Sequence, residues 1–410
     1  MPKISKILLL AVSVVLVVTV FLGVNSSGVS AATEPQDGAY RQINVYSEVL
    51  RHIQTDYVEE PNINAVTNGA LRGLLESLDA DSSYLSADDY KAYKADKGGK
   101  AQVGINVSKR FGYATVVSVV PGSPADKSNL SDGDIIEAIN GQDTRDISLA
   151  MIQLLLQGQP GTELTLSVVR PRKSAPDKLV MTRVAPALPP VAETMYENAS
   201  ILYLKPGIVD HDHVQQIELK LKGMSKAGNK KILLDLRDVA AGDMPEATRL
   251  ANFFLKDGTI AILEGQKVEK QTFTADASKS INTTAPVVLL VNRGTAGPAE
   301  LVAAALLDNK RADLVGEKTF GEGAQQKTFE LPDGAALILS IAKYESPSGK
   351  KIQDDGVTPG VLVASNNDEA AVAEDDTTTA SESKPPLQKP NVTVDEQLSK
   401  ALDLLKNKAA

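Results

Sequence analysis

Few residue types in this chain of 410 residues can carry out nucleophilic or metal-dependent chemistry. The chain has no cysteine, which excludes disulfides, thiolate metal sites and a cysteine nucleophile. The only histidine cluster is Asp210-His211-Asp212-His213, which could bind a metal weakly. We expect instead that Asp212 caps the following helix and that both histidines are solvated. No glycine-rich phosphate loop precedes a helix in the required form. The sequence therefore predicts no metal, nucleotide or other cofactor.

One glycine-containing segment, Val103-Gly104-Ile105-Asn106-Val107, has the residue types of a carboxylate-binding loop. Glycine lets successive backbone N–H groups point together at an anion. An extended peptide can then add as a strand beside the loop, with its last side chain in an apolar pocket. The alternative is a domain that serves only as a spacer.

The elements that would position this loop follow from the hydrophobic pattern. Short β-branched strands, the turns at 121–124 and 140–141, and an apolar helix at 148–156 indicate a compact, partly open barrel. From about residue 179 to 363, strands and helices alternate, which indicates an α/β core. Residues 40–93 have apolar residues at helical spacing, and Pro61 separates two predicted helices.

The N-terminal residues resemble a targeting signal. Lys3 and Lys6 precede the uncharged run Ile7–Val24, and small residues follow at 28–32. This pattern predicts either a secretory signal cleaved near Ala31 or an uncleaved membrane anchor. In both cases we expect the rest of the chain to lie in the cell envelope, outside the cytoplasm; the alternative is a buried core helix of a cytosolic protein. The mass of the mature protein distinguishes the cleaved signal from the anchor.

The C-terminal part and the overall charge narrow the partners. Residues 364–390 are acidic and poor in apolar residues, which predicts a disordered linker. An amphipathic helix follows at 394–406. The net charge of −9 gives no electrostatic basis for nucleic-acid binding.

Further motifs occur in a fixed order along the chain. After the carboxylate loop come Pro121-Gly122-Ser123-Pro124-Ala125, Gly133-Asp134-Ile135-Ile136 and Asn140-Gly141, which match landmarks of PDZ domains. The other matching segments are Leu78–Leu85, Leu234-Asp235-Leu236-Arg237, Val291–Gly294, Glu300, Asp308, Gly316 and Thr319-Phe320-Gly321. Together they resemble the carboxy-terminal processing peptidases, or tail-specific proteases, a family of PDZ-containing serine peptidases.

The resemblance implies a multidomain α+β fold. It comprises an N-terminal helical region at 38–97, a PDZ β-barrel-like domain at 98–173 and an α/β peptidase-like core of the ClpP/crotonase-like type at 179–363. The signal or anchor at 1–32, the linker at 364–392 and a closing helix at 393–408 complete the chain. The implied ligands are protein or peptide C-termini.

Members of this family use a serine nucleophile, a lysine general base and a glutamine that orients the lysine. The base is needed because a serine hydroxyl is a poor nucleophile until a neutral amine takes its proton. By resemblance, the serine position here is Gly297 and the lysine position is Glu322, and only Gln326 keeps its family identity. Glycine has no atom that can accept an acyl group.

The implied oxyanion hole is degenerate as well. The residue after the serine position is Pro298, which has no N–H. The second donor would come from a glycine-rich turn, which here ends at Gly242 and has one glycine fewer. Loss of one such donor typically costs about 2.7–4 kcal/mol of transition-state stabilisation. The four changes together predict a family member that has lost catalysis and kept its fold.

Three functions remain open. A peptide-binding pseudopeptidase would hold C-termini with its PDZ loop and a blind groove. A structural partner would assemble with an active relative, or with itself, through the N-terminal helices and the final helix. An active peptidase would use Thr295 or Lys318 as displaced groups, or water activated by Glu322. We expect Thr295 to be a satisfied loop hydroxyl and Glu322 to be an exposed or ion-paired carboxylate.

Overall fold

The structure is a computed structural model that describes residues 36–95, 101–110, 112–170, 175–185, 188–365 and 394–409. The predicted signal or anchor at 1–32 lies outside the described residues, as does nearly all of the predicted linker at 364–392, so both stay predictions. None of the described helices is long and apolar enough to cross a membrane. The chain divides into two compact units, Met1–Thr67 and Asn68–Ala410.

The elements are numbered in chain order. The helices are α1 (Gln36–Asp56), α2 (Ile63–Glu76), α3 (Ala87–Ala95), α4 (Pro124–Lys127), α5 (Leu149–Leu156), α6 (His211–Ala227), α7 (Met244–Asn252), α8 (Pro298–Asp308) and α9 (Glu396–Asn407). The strands are β1 (Ser83–Leu85), β2 (Ile105–Arg110), β3 (Tyr113–Val119), β4 (Ile135–Ile139), β5 (Gln142–Asp143), β6 (Glu163–Val169), β7 (Asp177–Thr182), β8 (Ala192–Tyr196), β9 (Ile201–Lys205), β10 (Lys231–Asp235), β11 (Thr259–Glu264), β12 (Gln271–Thr274), β13 (Val287–Val291), β14 (Ala312–Gly316), β15 (Ala324–Glu330), β16 (Ala336–Glu345) and β17 (Val361–Leu362).

Helix α1 makes up most of what is described of the first unit. Its apolar residues recur at helical spacing, yet Ile43 is 55% exposed and Val49 is 52% exposed. Pro61 lies between α1 and α2. A helix does not continue through this position, because proline lacks the N–H that a helix interior needs. The two helices therefore separate where the sequence predicts.

The region predicted as helical at 38–97 also contains strand β1, so the prediction is wrong there. The Asp79 carboxylate accepts hydrogen bonds from the N–H groups of Asp81 (3.0 Å) and Ser82 (2.6 Å), which turns the chain after α2. Strand β1 then pairs antiparallel with β16 and buries Leu85. Three residues are too few to show the alternation that marks a strand in a sequence.

Strands β2 to β7 form a barrel around one hydrophobic core. They pair antiparallel in the order β2-β3-β4-β6-β7, with β5 on β4. Helix α5 buries Leu149, Ile152 and Leu156 in this core. Strand β7 pairs with β6, so the barrel extends beyond the predicted boundary at 173. Met181 is the one buried residue of β7, which is why the sequence pattern did not assign this strand to the barrel.

A second core surrounds a mostly parallel sheet with the strand order β17-β14-β13-β10-β9-β8. All residues of β13 are buried, as expected for a strand covered on both faces. Helices α6, α7 and α8 pack on one face. On the other face, α9 buries Ala401 and Leu405 against Leu233 and Leu290. The remaining sheet has the order β1-β16-β11-β12, with β15 on β16.

The acidic and histidine-containing cluster forms the start of α6, and two predictions about it are wrong. Asp210, not Asp212, is the capping residue, and its carboxylate accepts from the His213 N–H (2.9 Å). His213 is buried, and its ring nitrogens lie 2.6 Å from the Asp210 carboxylate and 3.0 Å from the Pro189 carbonyl oxygen. The cap falls at Asp210 because its backbone is extended there. Within the part of the chain that the structure describes, no cluster of three or more acidic or histidine side chains is arranged to hold a metal ion.

Candidate active site

Gly297 lies in a strand–turn–helix elbow. Strand β13 ends at Val291, and α8 begins at Pro298, directly after Gly297. Gly297 adopts φ 55° and ψ −117°, which residues with a side chain rarely adopt. Hydrolases of the α/β type present a nucleophilic serine on such a strained turn. The elbow is present here, but the residue at its tip has no side chain.

The elbow meets the loop that carries Glu322. A Cβ atom built on Gly297 would lie 3.9 Å from Oε2 of Glu322 and 3.9 Å from the carbonyl oxygen of Ala240. The structure therefore places residues 297 and 322 side by side. A carboxylate faces the space that a serine hydroxyl would occupy.

Glu300 ties these two segments together. Its fully buried carboxylate accepts hydrogen bonds from the backbone N–H groups of Gly297 (3.0 Å), Gly321 (2.8 Å) and Glu322 (2.7 Å). The Thr319 hydroxyl also donates to it. Burial raises the pKa of Glu300 to about 7, although the hydrogen bonds favour the charged form. One carboxylate thus fixes both the elbow and the loop beside it.

An acidic recess lies beside the elbow. Asp81, Glu322 and Gln326 line its cavity of about 90 Å³. The side chain of Glu322 is exposed, as the sequence predicts, although many protein atoms lie around its carboxyl group. Desolvation by these atoms, together with the charges of Asp81 and Glu300, raises the pKa of Glu322 to about 8. Burial is also the main reason that the pKa of Asp81 is raised, to about 6. Nε2 of Gln326 donates to the Asp81 carbonyl oxygen (2.6 Å) and has no lysine to orient.

Neither displaced residue is positioned to replace the missing groups. Thr295 is fully buried, and its Oγ1 donates to the Leu236 carbonyl oxygen (2.8 Å) and accepts from the Asn292 N–H (3.0 Å). It is therefore a satisfied loop hydroxyl. Lys318 is exposed and lines a different cavity from Glu322.

The two predicted oxyanion positions are Pro298 and Gly242. Pro298 occupies the first turn of α8, where it offers no N–H. The backbone atom of the 239–242 turn nearest to a Cβ on Gly297 is the Ala240 carbonyl oxygen, and a carbonyl repels an oxyanion. Gly242 pairs with Val209 and has φ 139°, and a Cβ there would lie 2.2 Å from the Val209 carbonyl oxygen. Gly242 is thus required by close backbone packing.

The predicted carboxylate loop leads into β2. Gly104 has φ 84°, and a Cβ there would lie 2.3 Å from the Cβ of Ser123, so only glycine fits. Val103, Ile105 and Val107 are buried in the barrel core. Gly104 and the first two residues of β2, Ile105 and Asn106, line an adjoining cavity of about 230 Å³. Among the described strands, β2 pairs only with β3, so no strand occupies its other edge.

The sequence assigned no role to Asp81 or Gln353. Nε2 of Gln353 donates to the Asp81 carboxylate (2.9 Å), and its Oε1 accepts from the Gly323 N–H (2.7 Å). Gln353 therefore joins the recess to the loop after Glu322. Asp81 precedes two serines, at 82 and 83, that are buried in the structure. The motif match at 78–85 indicates that this segment belongs to the folded core, but it does not indicate which residues the segment contacts.

A parallel α/β core with a nucleophile-type elbow, together with a PDZ-like barrel, defines a scaffold of the serine-peptidase class. Residues 201–363 match the model of peptidase family S41, and residues 115–170 match that of a PDZ domain. The chain belongs to peptidase family S41, and the relatives described in the next paragraph are named carboxyl-terminal-processing proteases. The predicted family and fold class are confirmed.

The relatives cover most of the chain. The carboxyl-terminal-processing protease of Synechocystis sp. is 30% identical over 372 residues, which cover 86% of this chain and 86% of that protein. The one from Picosynechococcus sp. is 33% identical over 300 residues, or 72% of each chain. Among solved structures, a photosystem II D1 C-terminal processing protease aligns with a TM-score of 0.66 and 25% identity, over 78% of this chain and 92% of that one.

The raised pKa of Glu322 predicts a pH-dependent contribution to stability. Between about pH 4.5 and 8 this carboxyl binds more protons in the folded than in the unfolded state. The stabilisation that the protonated carboxyl of Glu322 gives the fold is therefore fully present below about pH 4.5 and is lost as the pH rises through about 8. We expect Glu322→Gln to melt with the wild type at about pH 4 and above it at about pH 8.5, because glutamine has the same shape without the charge.

Scanning fluorimetry at the two pH values measures this difference. Glu269→Gln, at an exposed loop position, is the matched control and should leave both melting temperatures unchanged. Identical melting of Glu322→Gln and the wild type at the higher pH would contradict the prediction.

Proposed function

We propose that this chain binds the C-terminal segments of other proteins at its PDZ barrel and does not hydrolyse them. The observation that carries the proposal is the pairing of Gly297 with Glu322 where the family uses serine and lysine. Acyl transfer needs a side-chain atom that can form the covalent intermediate, and Gly297 has none. Pro298 adds a second loss, because it offers no N–H to the oxyanion.

Features that serve binding support the other half of the proposal. The loop at Gly104 keeps a backbone conformation and a close contact with Ser123 that only glycine allows. Strand β2 has an edge that no described strand occupies, which suits the addition of an extended peptide. The names of the relatives describe proteases that process carboxyl termini, so a tail-binding function follows the same substrate class.

Fluorescence anisotropy with the full chain tests the proposal. The ligand is a short, unstructured peptide with a hydrophobic C-terminal residue, prepared with a free and with an amidated C-terminus. We expect only the free form to bind, because amidation removes the charge that the loop recognises. Mass spectrometry after prolonged incubation should show intact peptide. Turnover above that of a Gly297→Ala and Glu322→Ala double variant would overturn the non-hydrolytic part.

Gly104→Ala is expected to weaken binding of the free tail at least about tenfold, or about 1.4 kcal/mol. The added methyl group collides with Ser123 and shifts the loop that would hold the tail's carboxylate. Gly112→Ala is the matched control, because Gly112 has a similar φ of 85° and no atom within 4 Å of an added Cβ. Equal losses in the two variants would assign the effect to backbone strain rather than to the loop.

A further inference from the structure

The direction of a bound tail follows from β2. This strand runs from Ile105 to Arg110, away from the carboxylate loop. A tail whose carboxylate lies at Gly104 and which adds along β2 must therefore run antiparallel to it, with upstream residues toward Arg110. At about 3.4 Å per residue, Arg110 lies opposite the residue roughly five positions before the C-terminal one.

The Arg110 end of β2 adjoins a cavity of about 400 Å³ between the barrel and the peptidase-like core. Its basic lining residues are Arg110, Arg293 and Lys318, and its acidic ones are Asp132 and Asp354. Basic side chains thus outnumber acidic ones here, in a chain whose net charge is −9. Cations on a concave, partly desolvated wall attract anions more strongly than scattered surface charges do.

The cations of this cavity differ in how they are held. Nη2 of Arg110 donates to the Phe320 carbonyl oxygen (2.9 Å), and its guanidinium carbon lies 4.1 Å from the centre of the Phe320 ring. This arrangement fixes a planar group that has further N–H donors for a carboxylate. Nε of Arg293 lies 3.5 Å from Glu317. Lys318 is exposed, and it makes no ion pair with any residue that the structure describes.

We propose that the tails bound by this barrel carry an acidic side chain roughly five residues before their C-terminal residue, and that the cations of this cavity bind its carboxylate. This inference rests on the proposed function, since only a bound tail brings the carboxylate to the cavity. Phe320 lines the cavity and directly precedes the Gly321–Glu322 segment. The cavity therefore lies between the barrel and the segment that carries Glu322, and Arg110 is the β2 residue that lines it.

Three labelled tails of otherwise identical sequence test the inference, with Asp, Asn or Lys five residues before the terminus. At low salt we expect the Asp tail to bind about three- to fivefold more tightly than the Asn tail, and the Lys tail to bind least tightly, as partly exposed ion pairs allow. The preference should disappear at high salt. Lys318→Glu should remove the preference for Asp. Lys267→Glu, at an exposed loop position outside the cavity, should retain it.

The outcomes separate this inference from the proposed function. Equal binding of the three tails at low salt, or an unchanged preference in Lys318→Glu, overturns the inference. The proposed function survives such a result if tails with a free C-terminus still bind better than an amidated tail. If free and amidated Asp tails bind alike, recognition at Gly104 fails, and the acidic preference fails with it.

Discussion

Gly297→Ser combined with Glu322→Lys is expected to leave peptide hydrolysis at least about 100-fold below that of a triple variant that also carries Pro298→Ala. In the proposed assignment, the double variant restores the serine and the lysine that the family uses. The serine has room, because the nearest atoms to a Cβ at this position are 3.9 Å away, but the φ of 55° strains any residue with a side chain. Proline at 298 still denies the oxyanion a backbone N–H, and loss of one such donor typically lowers turnover 10²- to 10³-fold.

The environment acts on the restored base in two opposite ways. Burial, the main cause of the raised pKa at 322, would disfavour the charged form of an ammonium there, whereas the charges of Asp81 and Glu300 would favour it. A lysine acts as a base only when neutral. Activity of the triple variant should therefore rise with pH until this lysine has lost its proton.

Release of C-terminal fragments from an unstructured protein with a hydrophobic tail, followed by mass spectrometry, measures the activities. The matched control carries Pro298→Ala and Glu322→Lys but keeps Gly297, and it should show no turnover above the wild type. Robust cleavage by the double variant, equal to that of the triple variant, would show that Pro298 does not lie at the oxyanion position.

How much of the fold the sequence could predict depended on the range of the interactions. The buried strand β13 was predictable because all its residues are apolar. The capping residue of α6 was not, because Asp210 and Asp212 are chemically equivalent and only the extended backbone at Asp210 decides between them. Strand β7 was placed outside the barrel, since one buried residue leaves no clear alternation.

The candidate site divides in the same way. The resemblance located Gly297 and Glu322 by their neighbours along the chain, and the structure places them side by side. The contribution of Asp81 could not be predicted, because its contacts with Gln326 and Gln353 join segments that are remote in the sequence. The raised pKa of Glu322 depends on that same arrangement and on Glu300, so no local pattern could reveal it.

Glu300→Gln is expected to lower the free energy of unfolding by about 2–5 kcal/mol. Oε2 of Glu300 accepts from the N–H groups of both Gly297 and Glu322, and Oε1 accepts from Gly321 and from the Thr319 hydroxyl. Glutamine replaces one of these oxygens with an NH₂ group, which turns a donor toward donors. Each buried N–H that loses its acceptor costs about 1–3 kcal/mol.

Urea denaturation measures the loss, and Glu330→Gln is the matched control. Glu330 is 65% exposed in its ion pair with Lys94, so its substitution should cost less than about 1 kcal/mol. Hydrogen exchange should also quicken at the amides of Gly321 and Glu322 in Glu300→Gln, because they lose their acceptor. Stability within about 1 kcal/mol of the wild type would contradict the assignment. A large loss would mean that Glu300 holds the elbow together although Gly297 offers no side chain, so the fold does not depend on a nucleophile at that position.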